Sequence, residues 1–130
     1  MKRVAFAVSV VAALGLCSVA LAASTLSGTY KTKIHTTALG GALNGTWTVK
    51  FKSGFYTVTD NGAVVLHGKD KIKGTRITLT DQSGRDACNK GSGTYKFKLK
   101  GTKLTFTKVG SDPCVGRVTV LTTGPFTKIS

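Results

Sequence analysis

The chain has 130 residues and a net charge of +14, from 19 lysines and arginines against 5 acidic residues, all of them aspartate. Its size allows one modest core. With two histidines far apart and no glycine-rich loop opening a helix, neither metal-ligand spacing nor a phosphate-cradling loop is present.

The first 22 residues read as a leader. Lys2 and Arg3 precede an apolar run from Val4 to Leu16, and Ala20-Leu21-Ala22 forms a small-x-small cleavage site. That is the pattern of a secretory signal peptide cut after Ala22. The bulky Leu16 before Cys17 argues against lipoprotein processing. Cleavage leaves a single domain over residues 23–130, secreted or periplasmic, with 17 basic residues against five aspartates and a net charge of +12. Such a field attracts anionic surfaces and polymers, and the attraction weakens with salt.

The mature chain alternates turn signals with short runs of period two, the pattern of antiparallel sheet. "GTYKTKI" (28–34), "GTWTVKF" (45–51) and "GTYKFKL" (93–99) echo one another as glycine, threonine and an aromatic followed by lysine and hydrophobe. Strands are expected near 28–35, 45–52, 55–60, 63–72, 75–80, 93–99, 102–109 and 117–122, with no true helix. A turn at Ser53-Gly54 sets Phe51 opposite Tyr56 and Val49 opposite Val58. At Asp60-Asn61-Gly62 a bulged turn with Gly62 left-handed places Val64, Leu66 and Ile72 on one face with Ile77 and Leu79. That parity aims Asp70 inward and His67 outward.

The segment "DQSGRDACNKGSG" is the longest loop. A turn at Lys100-Gly101 sets Phe97 opposite Leu104 and Tyr95 opposite Phe106, and brings Cys88 and Cys114 to the hairpin's base. Two cysteines in an exported domain pair most simply as one disulfide; a reactive thiol pair is the alternative. The tail "TTGPFTKIS" adds a short strand or covers a barrel mouth.

Eight sequential strands with one greasy face each close most simply into an all-β, eight-stranded antiparallel up-and-down barrel, which removes exposed edges. A two-sheet β-sandwich is the alternative. A monomer is expected.

Gly45-Thr46-Trp47 as a G-x-W, "TDQSGRDACNKGSGTYKFKLKGTKLTFTKV" and "DPCVGRVTVL" give the chain a resemblance to the calycin group, lipocalin-like secreted bacterial proteins in particular. Asp81, Gly84, Cys88, Gly93, Tyr95, Asp112, Cys114 and Arg117 also resemble those of a set of uncharacterised secreted barrels of soil bacteria. The resemblance implies that Trp47 packs beneath the barrel and that Arg117, from the last strand, lies across it. Lipocalins carry G-x-W on the first strand, whereas here Gly28-Thr29-Tyr30 stands first and the tryptophan follows on the second.

Two binding surfaces follow. Tyr30, Trp47, Phe51, Tyr56, Tyr95, Phe97 and Phe106 face inward and would line a site for a small hydrophobic molecule, or would fill the barrel as plain core. Lys31, Lys33, Lys50, Lys52, Lys96, Lys98 and Lys100 face outward on what the alternation treats as neighbouring strands. They would bind an anionic cell-envelope polymer or lipid, or serve only to keep the barrel soluble. Aromatics and lysines lie on opposite faces, which disfavours specific nucleic-acid binding. The long loop could also act as an inhibitor's paratope. No catalytic constellation, cofactor or metal is expected, and Asp70 is the one carboxylate picked out for burial.

Overall fold

A computed structural model describes residues 26–130, so the leader expected over residues 1–22 lies outside the described residues. Eight antiparallel strands run in sequence order around a closed barrel: β1 (Gly28–Ile34), β2 (Gly45–Lys52), β3 (Phe55–Asp60), β4 (Ala63–Lys73), β5 (Arg76–Ser83), β6 (Gly93–Lys100), β7 (Lys103–Val109) and β8 (Phe126–Lys128). One short helix, α1 (Val115–Thr122), interrupts the order before β8. The pairings from β1 to β7 each run over four residues or more, and β8 closes the ring through two pairs on each side, among them Tyr30↔Lys128 and Leu104↔Phe126.

The alternation produces the expected sides. Tyr30, Trp47, Val49, Phe51, Tyr56, Tyr95, Phe97 and Phe106 are buried, while Lys31, Lys50, Lys96 and Lys98 on the opposite parity are exposed. The register Phe51↔Tyr56 and Val49↔Val58 is the one the Ser53-Gly54 turn implies. Both residues of that turn have positive φ, as do Asn61 and Gly62, which matches the twist that two-residue hairpins need.

Three expectations are corrected. The loop between β6 and β7 is Gly101-Thr102, not Lys100-Gly101, so Phe97 faces Phe106 and Leu99 faces Leu104. Moving both pairings by two residues keeps every hydrophobe inward, so parity alone does not separate the two registers. At Asn61-Gly62 the turn is tight, with Asp60↔Ala63, and the bulge lies inside the strand, where the register shifts between Val58 and Thr59. Val65 and Leu66 therefore both turn inward and Val64 faces water, 56% exposed.

The third correction is the largest: residues 117–122 are helical, and the eighth strand comes from the tail. Val118 and Val120 mimic a strand, but Thr119, Thr122 and Thr123 satisfy the helix by donating to the carbonyls of Val115, Val118 and Thr119. Such back-bonding accommodates threonine in a helix at a slight cost in stability. Burial of Val120 and Leu121 against the barrel supplies what propensity does not.

The topology gives the barrel two unlike poles. One carries the tight turns Ser53-Gly54, Gly74-Thr75 and Gly101-Thr102. The other carries the β1–β2 connection, the β5–β6 loop and α1.

Candidate functional site

Near the hairpin pole the interior is filled: Tyr30 packs on Phe51 with ring centroids 6.1 Å apart, and Phe106 stands edge-on to both Tyr95 (6.4 Å) and Phe126 (5.8 Å). Toward the loop pole the inward side chains include Trp47, Val49, Val58, Val65, Leu66 and Leu79. A cavity of about 460 Å³ remains there, closed on one side by Val120 and Leu121 of α1. Its wall is mostly apolar, and Asp86, Lys90 and Pro113 stand at its edge.

Of the seven aromatics expected to line a ligand site, Trp47 and Tyr56 do so; Tyr30, Phe51, Tyr95, Phe97 and Phe106 are core residues outside the lining. Trp47 is held by its indole N–H, which donates to the Leu43 carbonyl at 2.8 Å.

Asp81 and Arg117 form the cavity's polar wall. Arg117 lies one turn before Val120 and Leu121, so all three share a face of α1. Its Nε and Nη2 donate to Asp112 Oδ2 and Oδ1 at 2.8 and 2.7 Å, and Nη2 also donates to the Gly91 carbonyl at 2.8 Å. Nη1 lies 3.3 Å from Asp81 Oδ1, an ion pair without good hydrogen-bond geometry. Two tyrosines and two backbone amides complete the shell. Tyr56 donates to Asp81 and Tyr95 to Asp112, and the N–H groups of Cys88 and Cys114 donate to Asp81 Oδ2 and Asp112 Oδ1 at 2.9 and 2.8 Å.

The side chains of Asp81, Asp112 and Arg117 are only 2%, 0% and 6% exposed. Burial pushes the Asp112 carboxyl up, but hydrogen bonds from Arg117, Tyr95 and Cys114, with the guanidinium charge, outweigh it and hold the group below the usual carboxylate range. Burial, reinforced by the carboxylate each one faces, raises the Tyr56 and Tyr95 phenols well above their ordinary value. Both tyrosines are neutral donors at any working pH. The cluster thus holds two carboxylates against one guanidinium, a net charge of −1 beside an apolar cavity.

The guanidinium expected to lie across Trp47 is instead committed to Asp112, Asp81 and Gly91, because it projects from a helix rather than from a last strand. Cys88 and Cys114 are bonded to each other, pinning the start of α1 to the β5–β6 loop. A buried disulfide is compatible with an oxidising extracellular or periplasmic setting. Asp70 does turn inward; burial raises its carboxyl, and its Oδ2 has no partner.

Asp81 and Asp112 are the site residues that sequence reasoning did not assign a role. Gly93 carried a signal. A Cβ there would run into the Asp112 carboxylate and crowd the Tyr95 ring, so glycine at the start of β6 admits the carboxylate. Gly93→Ala is expected to cost about 1–3 kcal/mol by overpacking, read as a lowered urea midpoint. An unchanged midpoint would mean that Asp112 has room to move away.

The outward lysines do not form a single wall. Lys31, Lys33, Lys50 and Lys52 lie on β1 and β2, whereas Lys96, Lys98 and Lys100 lie on β6, four strands from β2 and so across the eight-stranded ring. All seven are exposed. Further cations fill the arcs between them, with Lys69, Lys71 and Lys73 on β4, Arg76 on β5, Lys103 on β7 and Lys128 on β8. Among the described residues no group of three or more histidine, cysteine or acidic side chains could hold a metal ion.

No protein-family model, curated protein or solved structure matches this chain.

Proposed function

We propose that the protein is a secreted, non-catalytic, lipocalin-like binding protein that holds one small hydrophobic molecule at the loop pole of its barrel. The observation that carries this reading is the 460 Å³ cavity over a filled half-barrel. That volume falls within the range of ligand pockets, which are typically apolar with a few placed polar groups. A barrel meant only as a scaffold could have been filled at this pole with aromatics, as it is at the other. The polar wall supports binding, since Asp81, Asp112, Tyr56 and Tyr95 are engaged with one another or with Arg117.

The same wall selects the ligand's head. With a net charge of −1 in the cluster beside the cavity, a carboxylate there meets repulsion, while the lysines outside act through solvent. The ligand's head is therefore not an anion. A neutral solvatochromic dye is expected to bind saturably with a blue-shifted emission. A long-chain alcohol should displace it roughly tenfold better than the carboxylic acid of equal length at neutral pH.

Val49→Phe and Leu79→Phe, which fill the cavity from two strands, should each weaken dye binding by about tenfold or more, a change of ~1.4 kcal/mol. Their melting temperatures should not fall in step with that loss. Failure of the wild-type protein to bind any neutral apolar probe would remove the proposal. Equal competition by acid and alcohol would remove only its account of the head group.

A further inference from the structure

We propose that the outer wall of the barrel binds a flexible linear polyanion that wraps around it, and not a flat anionic surface. This inference does not depend on the cavity or on its ligand.

Three observations point there. The first is the separation of charge by face. Asp60, Asp70 and Asp81, the strand carboxylates, all lie on the inward parity, opposite Trp47, Leu79 and Gly68 respectively. Asp86 and Asp112 lie in the connections at the loop pole. The outer wall therefore has cations and no carboxylate to neutralise them, and among the described residues no lysine takes part in an ion pair.

The second is how the cations are spread. Exposed cations occur on every strand except β3, so they surround the barrel as a sleeve. A plane touching Lys50 and Lys52 on β2 turns Lys96 and Lys98 on β6 away from it. A bilayer would thus leave half of the charge unused. A chain with anionic groups at regular intervals and freely rotating links can follow the curvature and meet both sides.

The third is that the sheet opposes like charges directly. Lys73 faces Arg76, Arg76 faces Lys96, and Lys100 faces Lys103 across adjacent strands. Directly opposed like charges destabilise a sheet. Threonine fills many of the other outward positions, as in the Thr48–Thr59 and Thr78–Thr94 hydroxyl pairs, and would have avoided the repulsion. Solubility alone calls for cations but not for opposed ones. A polyanion laid along these rows relieves the repulsion and releases its own condensed counterions.

The test uses the oxidised barrel with inorganic polyphosphate, long-chain and tripolyphosphate, and with phosphatidylglycerol vesicles, all compared at equal phosphate and physiological salt. Two variants probe opposite sides: Lys50→Thr with Lys52→Thr, and Lys96→Thr with Lys98→Thr. Threonine keeps strand propensity, and circular dichroism and melting temperature verify the fold. Long-chain polyphosphate should bind at least tenfold tighter per phosphate than tripolyphosphate and tighter than the vesicles. Each variant should weaken polymer binding severalfold and flatten its salt dependence, and the combined variant should multiply the two losses. Abolition by one pair with no effect of the other, vesicle binding as tight as polymer binding, or absence of a chain-length effect would each overturn the proposal.

Discussion

Replacing Arg117 with methionine is expected to lower the stability of the domain by roughly 3–5 kcal/mol, because it strands two carboxylates in a dry interior. Asp112 is fully buried and Asp81 nearly so, and Arg117 is the cation facing both. Methionine preserves much of the side chain's bulk, so the loss comes from charge rather than from an empty volume. A variant that also carries Asp81→Asn and Asp112→Asn should recover most of the loss, since exchanging a whole buried ionic cluster for neutral groups is far cheaper than removing one member. Urea denaturation of the three proteins at neutral pH measures both effects. A cost below about 1 kcal/mol for Arg117→Met would mean that water already reaches the cluster.

The acid limb of the stability curve provides an independent check. In the parent protein the folded-state value of Asp112 lies below its ordinary one. Its contribution is therefore present above the unfolded carboxylate range and is lost as pH falls through the lower folded value. In Arg117→Met the burial that raises this carboxyl is opposed only by the hydrogen bonds from Tyr95 and Cys114, so its folded value rises and the stability lost in acid shrinks. The variant should gain stability relative to the parent as pH falls, and the two curves should converge in acid. Parallel curves down to low pH would exclude ionic stranding as the cause.

What the sequence reveals of this molecule follows from which interactions are local. β2 and β3 match the expected strands residue for residue, β1, β4, β6 and β7 agree at one end, and β5 runs over Arg76–Ser83 against an expected 75–80. Alternation between core and water is written directly into those segments. Residues 115–122 escape the same logic, because Val118 and Val120 suit a strand and no helix-forming run argues otherwise. The decision there is tertiary: Asp112 and the disulfide hold the start of the segment, Arg117 locks its first turn, and Leu121 has a cavity to cover. The buried cluster is obscure for the same reason. Asp81, at the end of β5, and Asp112, in a connection, are 31 positions apart, and only the closed ring brings both to one arginine. The division of the barrel into a full and a hollow half is partly legible, since Val49 and Val58 stand where Phe51 and Tyr56 would have blocked the space. The in-strand bulge at Val65 is not, because a tight Asn61-Gly62 turn and a bulged one differ by a single residue of register.

Replacing Cys88 and Cys114 together with alanine should lower stability by about 3–4 kcal/mol, from loop-closure entropy alone. The bond closes a loop across a sequence separation of 26 residues that contains all of β6 and β7. A loop of that length leaves the reduced, unfolded chain with much freedom that the oxidised chain lacks. The bond also acts locally, since Cys114 directly precedes α1 and Cys88 sits in the facing loop. Arg117 ties that helix to the same region through Gly91 and Asp112, so the covalent and ionic fastenings share one element. Neighbouring fastenings of this kind are not additive. Once one is gone the helix is freer to part from the barrel, and removing the second should cost less than it does in the parent. A double-mutant cycle combining Arg117→Met with the alanine pair is expected to give a combined loss smaller than the sum of the two. Probe release from the cavity should quicken in either variant, because Val120 and Leu121 close the cavity only while α1 is held. Strict additivity, with release rates unchanged, would mean that α1 is held by its apolar contacts alone and that the disulfide acts only on the unfolded chain.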